Sequence, residues 1–150
     1  MDKIIERLNY LIEILPLKVN EFSEEEFSVK LSNKWSKKEI LGHLCDSATN
    51  NHHRFIRIQF EVQPFVSTSY DQNNWVLIQD YQTISTVDIV DFWLALNRQI
   101  IRVISKLPEE KLSYQCSVGD NKSFTLLGLI QDYLRHMEHH LNQIFGTSDL

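Results

Sequence analysis

The chain has 150 residues, a length that suits one domain with its own core, and it contains only four Gly and three Pro. Such a scarcity of turn residues disfavours an all-β protein and favours a few long helices. The net charge of −5, without a stripe of Lys and Arg, argues against nucleic acid as a partner. We therefore predict a single domain over residues 1–150.

Hydropathy and cysteine usage indicate where the protein works. No run of about 18 apolar residues is present, so the sequence predicts no membrane span. The N-terminal stretch carries charges inside its apolar pattern and does not resemble a signal peptide. Cys45 and Cys116 lack metal-binding or redox spacing, which is typical of free thiols in a reducing compartment. We expect a cytoplasmic protein.

The first predicted helix begins near the N-terminus. Its apolar side chains recur at helical spacing over four turns, at Ile4, Ile5, Leu8, Leu11, Ile12 and Leu15. Pro16 marks its predicted end, and a kinked continuation to about residue 20 is the alternative. The polar and acidic segment 20–34 is predicted to be a connector.

The second predicted helix has a defined start. Ser36, followed three residues later by Glu39, forms a capping-box pattern, and helical spacing continues to about Phe60. The connection that follows, residues 61–84, is longer than is usual in a bundle and leaves room for a short helix. Connections of this length often carry function, so we expect part of the site there.

Two further helices complete the predicted bundle. The third spans residues 86 to about 107, and its wide apolar surface suits an interior helix or one that meets a partner subunit. The fourth begins with Ser123 as its N-cap and extends to Phe145, with Gly146 after its end. The predicted fold is all-α, a four-helix bundle with a long connection between helices 2 and 3.

Histidines provide the strongest signal of chemistry. His136 and His140 are four residues apart beside an apolar face, so both rings lie on one side of the fourth helix and can share one ion. His139 points away from both. His43, at the edge of the apolar face of the second helix, is the candidate third ligand. The alternative is a polar network in the core, since a buried imidazole needs either a metal or a hydrogen-bond partner.

Polar residues continue the face of His43 along the second helix. Asp46 and Asn50 follow it by three and seven residues, so they are predicted as catalytic residues near the metal. A solvated helix edge is the alternative for both. Glu138 lies on the opposite side of the fourth helix from the two ligands, so Asp46 is the best-placed carboxylate.

Three groups of residues together resemble a known family. The second helix carries Trp35-Ser36, His43-Leu44-Cys45-Asp46-Ser47, Asn50 and Arg54-Phe55. The long connection carries Tyr70-Asp71 and Trp75, and the fourth helix carries His136-x-x-His139-His140 with Gln143-Ile144. In order and spacing over nearly the whole chain, these motifs resemble the YfiT-like branch of the DinB-like superfamily.

The resemblance implies a bundle whose metal is held by one histidine of helix two and two of helix four. These ligands correspond to His43, His136 and His140. Members of the family are described as metal-dependent hydrolases, or as S-transferases that use bacillithiol, mycothiol or glutathione, and they are often dimeric. This sequence departs from the YfiT-like ending at Gln143, where a further histidine is usual.

Three neutral nitrogen ligands leave an open position on the metal, as in catalytic sites. Zn²⁺ or Ni²⁺ suits such a set, although Fe, Mn and Co are also accepted. A water at that position would favour hydrolysis, and a thiol would favour S-transfer to an electrophile. Because no clear general base accompanies the ligands, we expect a low-molecular-weight thiol as co-substrate.

The substrate and the partner are less defined. Arg54, Tyr70 and Trp75 are predicted to line a pocket for a small-molecule substrate, with packing or surface exposure as the alternative. The apolar third helix and the family resemblance predict a homodimer. Two other classes of function stay open, namely a binding module without turnover and a structural protein whose histidines form a polar core.

Overall fold

The computed structural model describes residues 1–119 and 122–146. Within them, four long α-helices form a bundle, and two short α-helices, two 3₁₀-helices (Tyr81–Thr83 and Glu109–Ser113) and three short strands lie in its connections. The elements in chain order are α1 (Asp2–Val19), α2 (Glu24–Ser28), α3 (Lys37–Arg57), β1 (Phe65–Ser67), α4 (Gln72–Gln79), α5 (Thr86–Ile104), β2 (Gln115–Val118), β3 (Lys122–Thr125) and α6 (Leu126–Phe145).

Helix α3 lies at the centre of the bundle. It packs mainly against α5 and α6, and α1 covers the same two helices. Because of this position α3 is buried without interruption from Leu41 to Ala48, including its polar residues. The predicted four-helix bundle, with its long connection between α3 and α5, is confirmed. None of the described helices is both long and apolar enough to cross a membrane.

Helix α1 does not end at its proline. Pro16 lies inside the helix, which continues to Val19. Proline removes one backbone hydrogen bond from the helix interior, but the last turn retains its contacts with the core, because Leu15 and Val19 are both buried. The continuation to about residue 20, the alternative prediction, is therefore the observed one.

Two capping boxes start helices in this chain. The predicted one is confirmed, since Ser36 Oγ accepts from the Glu39 amide and the Glu39 carboxylate accepts from the Ser36 amide. A second one, formed by Ser23 and Glu26, starts the short helix α2 inside the predicted connector. It has the same sequence signature, so the helical pattern of the connector was detectable.

A small three-stranded sheet joins two connections of the bundle, since β1 lies between α3 and α4, and β2 and β3 lie between α5 and α6. β1 pairs in parallel with β2, and β2 pairs antiparallel with β3. Phe65 of β1 and Cys116 of β2 are paired and both buried. β2 and β3 contact α6, and hydrogen bonds from Arg54 of α3 hold Ser67 and Thr68, at the end of β1, against the bundle.

The ends of three long helices differ from the predicted ones. α3 ends at Arg57 and α5 at Ile104, each about one turn earlier than predicted. α6 begins at Leu126, not after Ser123, because Ser123 belongs to β3 and pairs with Ser117. Its N-cap is Thr125, whose Oγ1 accepts from the Gly128 amide at 3.0 Å.

Candidate metal centre

Three histidine side chains from two helices converge inside the bundle. His43 lies on α3, and His136 and His140 lie one turn apart on one face of α6. Their candidate ligand nitrogens all lie within 4.8 Å of one another. His139 is exposed and lies outside this group. The structure thus brings together the three residues that the sequence predicts as metal ligands.

The contacts between the rings fit a shared ion better than they fit hydrogen bonds. Nε2 of His136 lies 3.2 Å from Nε2 of His43 and 3.1 Å from Nε2 of His140. A neutral imidazole nitrogen carries either one proton or one lone pair, so His136 satisfies one of these contacts at best. Two nitrogens that bind one Zn²⁺ at about 2.0–2.1 Å lie roughly 3.0–3.4 Å apart. Donor type and spacing therefore fit a divalent ion.

The protonation of the rings also suits metal binding. Burial, with a smaller contribution from the neighbouring imidazoles, lowers the pKa of His43 to about 3. Burial and the proximity of His140 lower the pKa of His136 to about 4. A ligand imidazole must be neutral. The rings are therefore neutral ligands at physiological pH.

We predict that the metal-free protein loses stability as the pH falls below about 6.5. Between that value and the lowered pKa of His43, the unfolded chain binds a proton that the folded chain does not, so acid favours unfolding. His43 contributes up to about 1.4 kcal/mol per pH unit. Urea unfolding at pH 7 and pH 5 measures the effect. His43→Gln should reduce the change in the free energy of unfolding between the two pH values. His53→Gln, at an exposed site on the same helix, should leave that change as it is in the wild type. An equal pH dependence in the two variants would refute the explanation.

A hydrogen bond to a residue outside the triad orients the ring of His140. His140 Nδ1 donates to Gln143 Oε1 at 2.8 Å, which leaves Nε2 unprotonated towards the centre. The Gln143 amide nitrogen in turn donates to His139 Nε2 at 3.0 Å. His43 Nδ1 has no partner among the described residues, and its ring packs against Trp35, with 5.0 Å between ring centroids.

Loss of the Gln143 acceptor is expected to weaken metal binding. Gln143→Leu should reduce the affinity about tenfold or more, because His140 loses the hydrogen bond that fixes its tautomer. Gln143→Glu keeps an acceptor of the same length and should stay close to the wild type. Competition with a chromophoric chelator measures both. Equal affinities of the Leu and Glu variants would show that the bond does not support the centre.

Asp46 and Asn50, predicted as catalytic residues, lie on the helix that carries His43. Oδ1 of Asp46 accepts from the Tyr81 hydroxyl at 2.7 Å and from Gln79 Nε2 at 3.4 Å. Oδ2 is buried and has no partner among the described residues. Burial raises the pKa of Asp46, although its hydrogen bonds oppose the shift. Asn50 donates to the Asp46 backbone oxygen at 2.9 Å, which is a bond local to the helix.

Arg54, predicted to contact substrate, is 7% exposed near the end of α3. Its Nε donates to Ser67 Oγ and its Nη2 to the Thr68 backbone oxygen, both at 3.0 Å. These bonds tie the strand β1 and the residue after it to the bundle. Both acceptors are uncharged.

Tyr70 and Trp75, also predicted to contact substrate, form an aromatic pair beside the centre. The ring of Tyr70 lies 6.5 Å from His43, and Trp75 lies 5.2 Å from Tyr70, between ring centroids. Burial raises the pKa of Tyr70 to about 12, so its hydroxyl is a hydrogen-bond donor at neutral pH. Trp75 lines a separate shallow cavity with Ile78 and Gln79, so of the pair it is Tyr70 that faces the centre.

Two cavities reach the triad. The larger one, called the Trp35 cavity, has a volume of about 620 Å³, and its wall includes Val29, Leu31, Lys34, Trp35, Ile40 and His140. The smaller one, called the Arg54 cavity, has a volume of about 280 Å³, and its wall includes Ser47, Asn51, Arg54, Tyr70, Asp132 and His136. Each cavity therefore touches a different ligand of the triad.

Two residues of the site were missed by the sequence analysis. Asn51 lines the Arg54 cavity, whereas Asn50 lines neither cavity. A spacing of eight residues from His43 places Asn51 on the same face, so helical geometry could have indicated it. Tyr81 has no such signal, because it lies 35 residues from its partner Asp46.

Glu138 forms an ion pair away from the triad, as expected from its predicted position on the opposite side of the helix from His136 and His140. Its carboxylate pairs with Arg7 of α1 at 2.7 Å, on the far side of α6 from the triad. The group of candidate ligands contains only histidine among the described residues. The centre is thus an all-nitrogen set without an adjoining glutamate base.

Fold and site together define a class, a four-helix bundle with an all-histidine candidate metal centre between two of its helices. The chain belongs to the DinB superfamily, whose family model matches residues 6–144. This confirms the resemblance that the three motifs carry. No curated protein matches the sequence.

Solved structures share the fold. YfiT from Bacillus subtilis, described as a probable metal-dependent hydrolase with an unusual four-helix bundle topology, superposes with a TM-score of 0.86 at 21% identity, over 95% of this chain and 82% of YfiT. A mycothiol-dependent maleylpyruvate isomerase gives 0.68 at 11% identity, over 93% of this chain and 59% of the isomerase. The DinB-like protein YjoA of Bacillus subtilis gives 0.59 at 16% identity, over 95% and 88%. At these identities the likeness establishes the fold.

Proposed function

We propose that this protein is a metal-dependent enzyme that activates a low-molecular-weight thiol for transfer to an electrophile. His43, His136 and His140 hold the ion, and Zn²⁺ or Ni²⁺ suits three imidazoles. The proposal rests on one observation, the convergence of three neutral histidines in a group that includes no carboxylate among the described residues.

An ion held by three neutral imidazoles keeps its full charge and an open position, and it lowers the pKa of a thiol or water that enters. The chain's own residues keep the ligands neutral and hold their orientation. Tyr70 offers a protonated hydroxyl near His43.

The reacting thiol must come from a second molecule. Cys45 and Cys116 are both free and fully buried. Burial raises the pKa of both thiols, so neither is a thiolate at neutral pH. The presence of two cavities, one at His140 and one at His136, suits a reaction with two substrates.

Hydrolysis is the second candidate function. It is favoured by Oδ2 of Asp46, a carboxylate oxygen one turn along α3 from His43 that has no partner within the described part of the chain, and by the description of YfiT as a probable metal-dependent hydrolase. Against it, Oδ1 of the same carboxylate is already bonded to Tyr81. A thiol needs a general base less than water does, because its pKa is lower.

We also propose a cytoplasmic homodimer that acts on small molecules and not on nucleic acid. The net charge of −5 supports the proposal that nucleic acid is not a partner. Exposed apolar side chains support a surface for a second copy, namely Leu77 and Ile78 of α4 and Val87 and Phe92 of α5. Sedimentation equilibrium of the wild type and of a Val87→Lys, Phe92→Lys variant tests this. A monomeric wild type would refute it.

The enzymatic proposal is tested with metal-loaded protein and a panel of thiols. Glutathione, bacillithiol and mycothiol are each offered with a fluorogenic bimane electrophile, and simple esters and amides are offered without thiol. We expect thiol-dependent turnover that a His136→Ala, His140→Ala variant lacks. Turnover of esters or amides alone would favour the hydrolase. The source organism's own thiol is included in the panel. The enzyme hypothesis is falsified if the wild type turns over no member of the panel faster than the variant does.

A further inference from the structure

We propose that the Arg54 cavity binds the electrophilic substrate and that Arg54 recognises an anionic group on it. This inference rests on the proposed function, and it adds the chemical class of the second substrate. It is drawn from the charge, burial and position of Arg54 relative to the triad.

Arg54 is a buried cation that has no carboxylate partner in residues 1–119 and 122–146. It is 7% exposed and takes part in no ion pair among the described residues. Its two hydrogen bonds, to Ser67 and Thr68, use two of the five donors of a guanidinium and reach uncharged acceptors. A buried charge is costly unless it is paired, so an anion in the cavity would offset this cost.

A polar row connects Arg54 with the triad. Ser47, Asn51 and Arg54 follow His43 by four, eight and eleven residues, so the four side chains lie along one face of α3. The three that follow His43 are buried and line the Arg54 cavity. Eleven residues of helix span about 16 Å, so the Arg54 cavity, of about 280 Å³, leaves room for a small molecule between Arg54 and the triad.

The opposite end of the cavity touches the metal centre. His136 lines the same cavity, and its Nε2 contacts Nε2 of both His43 and His140. Asp132 also lines it, but its carboxylate pairs with Arg135 at the surface. A molecule of moderate length could therefore place an anionic end at Arg54 and its reacting carbon near the ion.

A matched pair of electrophiles tests the assignment. 4-(Bromomethyl)benzoate and 4-(bromomethyl)benzamide have the same length and differ in charge. In each, the thiol sulfur bonds to the benzylic carbon, bromide leaves with the electron pair of the C–Br bond, and the thiol proton passes to water. With the preferred thiol, Arg54→Gln should lower kcat/KM for the benzoate about tenfold or more, because it removes a charge-assisted contact. The benzamide should change little.

Control variants separate recognition from loop support. Ser67→Ala removes the same hydrogen bond between Arg54 and β1 but keeps the guanidinium, so it should keep the preference for the benzoate. Arg54→Lys keeps the charge and should retain part of that preference, which preserves the test should Arg54→Gln fold poorly. An equal loss for both electrophiles in Arg54→Gln, or a loss of preference in Ser67→Ala, would overturn the proposal.

Calorimetry with the unreactive 4-methylbenzoate gives a readout independent of turnover. Metal-loaded wild type should bind it, and Arg54→Gln should bind it at least about tenfold more weakly. No binding to the wild type, or equal binding to the variant because the metal alone holds the carboxylate, would refute the inference. Turnover that shows no preference for the benzoate over the benzamide would contradict this inference alone. Binding of 4-methylbenzoate at Arg54 without any turnover would contradict only the proposed function.

Discussion

Replacement of His136 by alanine is expected to lower the affinity for a divalent metal by at least about 100-fold, since one of three ligands is lost. His136 is the central member of the triad, because its Nε2 makes both short contacts, at 3.2 Å to His43 and 3.1 Å to His140. Elemental analysis of purified protein and chelator competition measure the effect.

His139→Ala is the matched control for this variant. His139 lies on the same helix and is exposed; its ring packs edge to face against His140, with 5.1 Å between centroids, and bonds to Gln143, but it lies outside the group of candidate ligands. It should therefore keep close to one equivalent of metal. A His136→Ala protein that also keeps one equivalent would place the ion elsewhere. A wild type that binds no metal, together with a His136→Ala protein that unfolds, would indicate a structural histidine network.

The second large effect concerns the packing beneath the centre. Gly42→Ala is expected to destabilise the fold by about 3 kcal/mol through overpacking. An added Cβ would lie 2.6 Å from Tyr81 Cε2 and closer still to Cγ and Cδ2. The buried Tyr81 ring cannot withdraw without loss of its 2.7 Å hydrogen bond to Asp46. The helix propensity gained from alanine, about 1 kcal/mol, is smaller.

Urea unfolding of Gly42→Ala beside Gly128→Ala measures this effect. The Cβ added at Gly128 meets Thr125 Oγ1 at 3.2 Å, a milder contact, so that variant should lose far less stability. Tyr81→Ala should remove most of the additional cost of Gly42→Ala in a double-mutant cycle. Equal stability of the two glycine variants would contradict the close packing of Tyr81 on α3.

The helices were predictable where the physical signal is local. Apolar spacing and the Ser36–Glu39 capping box indicated the long helices, and the box forms as predicted. The sheet was not predictable, because its strands have three or four residues and β1 pairs Phe65 with Cys116, some fifty residues later. Such short strands show too little alternation to be distinguished from a loop.

The candidate site divides in the same way. Spacing on a helix indicated that His136 and His140 share a face. The position of His43 at the edge of an apolar helix face made it the third candidate, and the family motif supported it. Contacts that depend on the tertiary fold had no local signal, as with Tyr81 on Asp46 or Ser67 on Arg54. The sequence therefore located the candidate ligands but not the two cavities that surround them.

The central claim, that a metal held by the three histidines activates a thiol, is tested most directly with Co²⁺-loaded protein. Titration with a low-molecular-weight thiol should produce a thiolate-to-cobalt charge-transfer absorption that saturates at one equivalent. The His136→Ala variant should not show it. A protein that binds one equivalent of Co²⁺ but whose spectrum no thiol changes would contradict the claim.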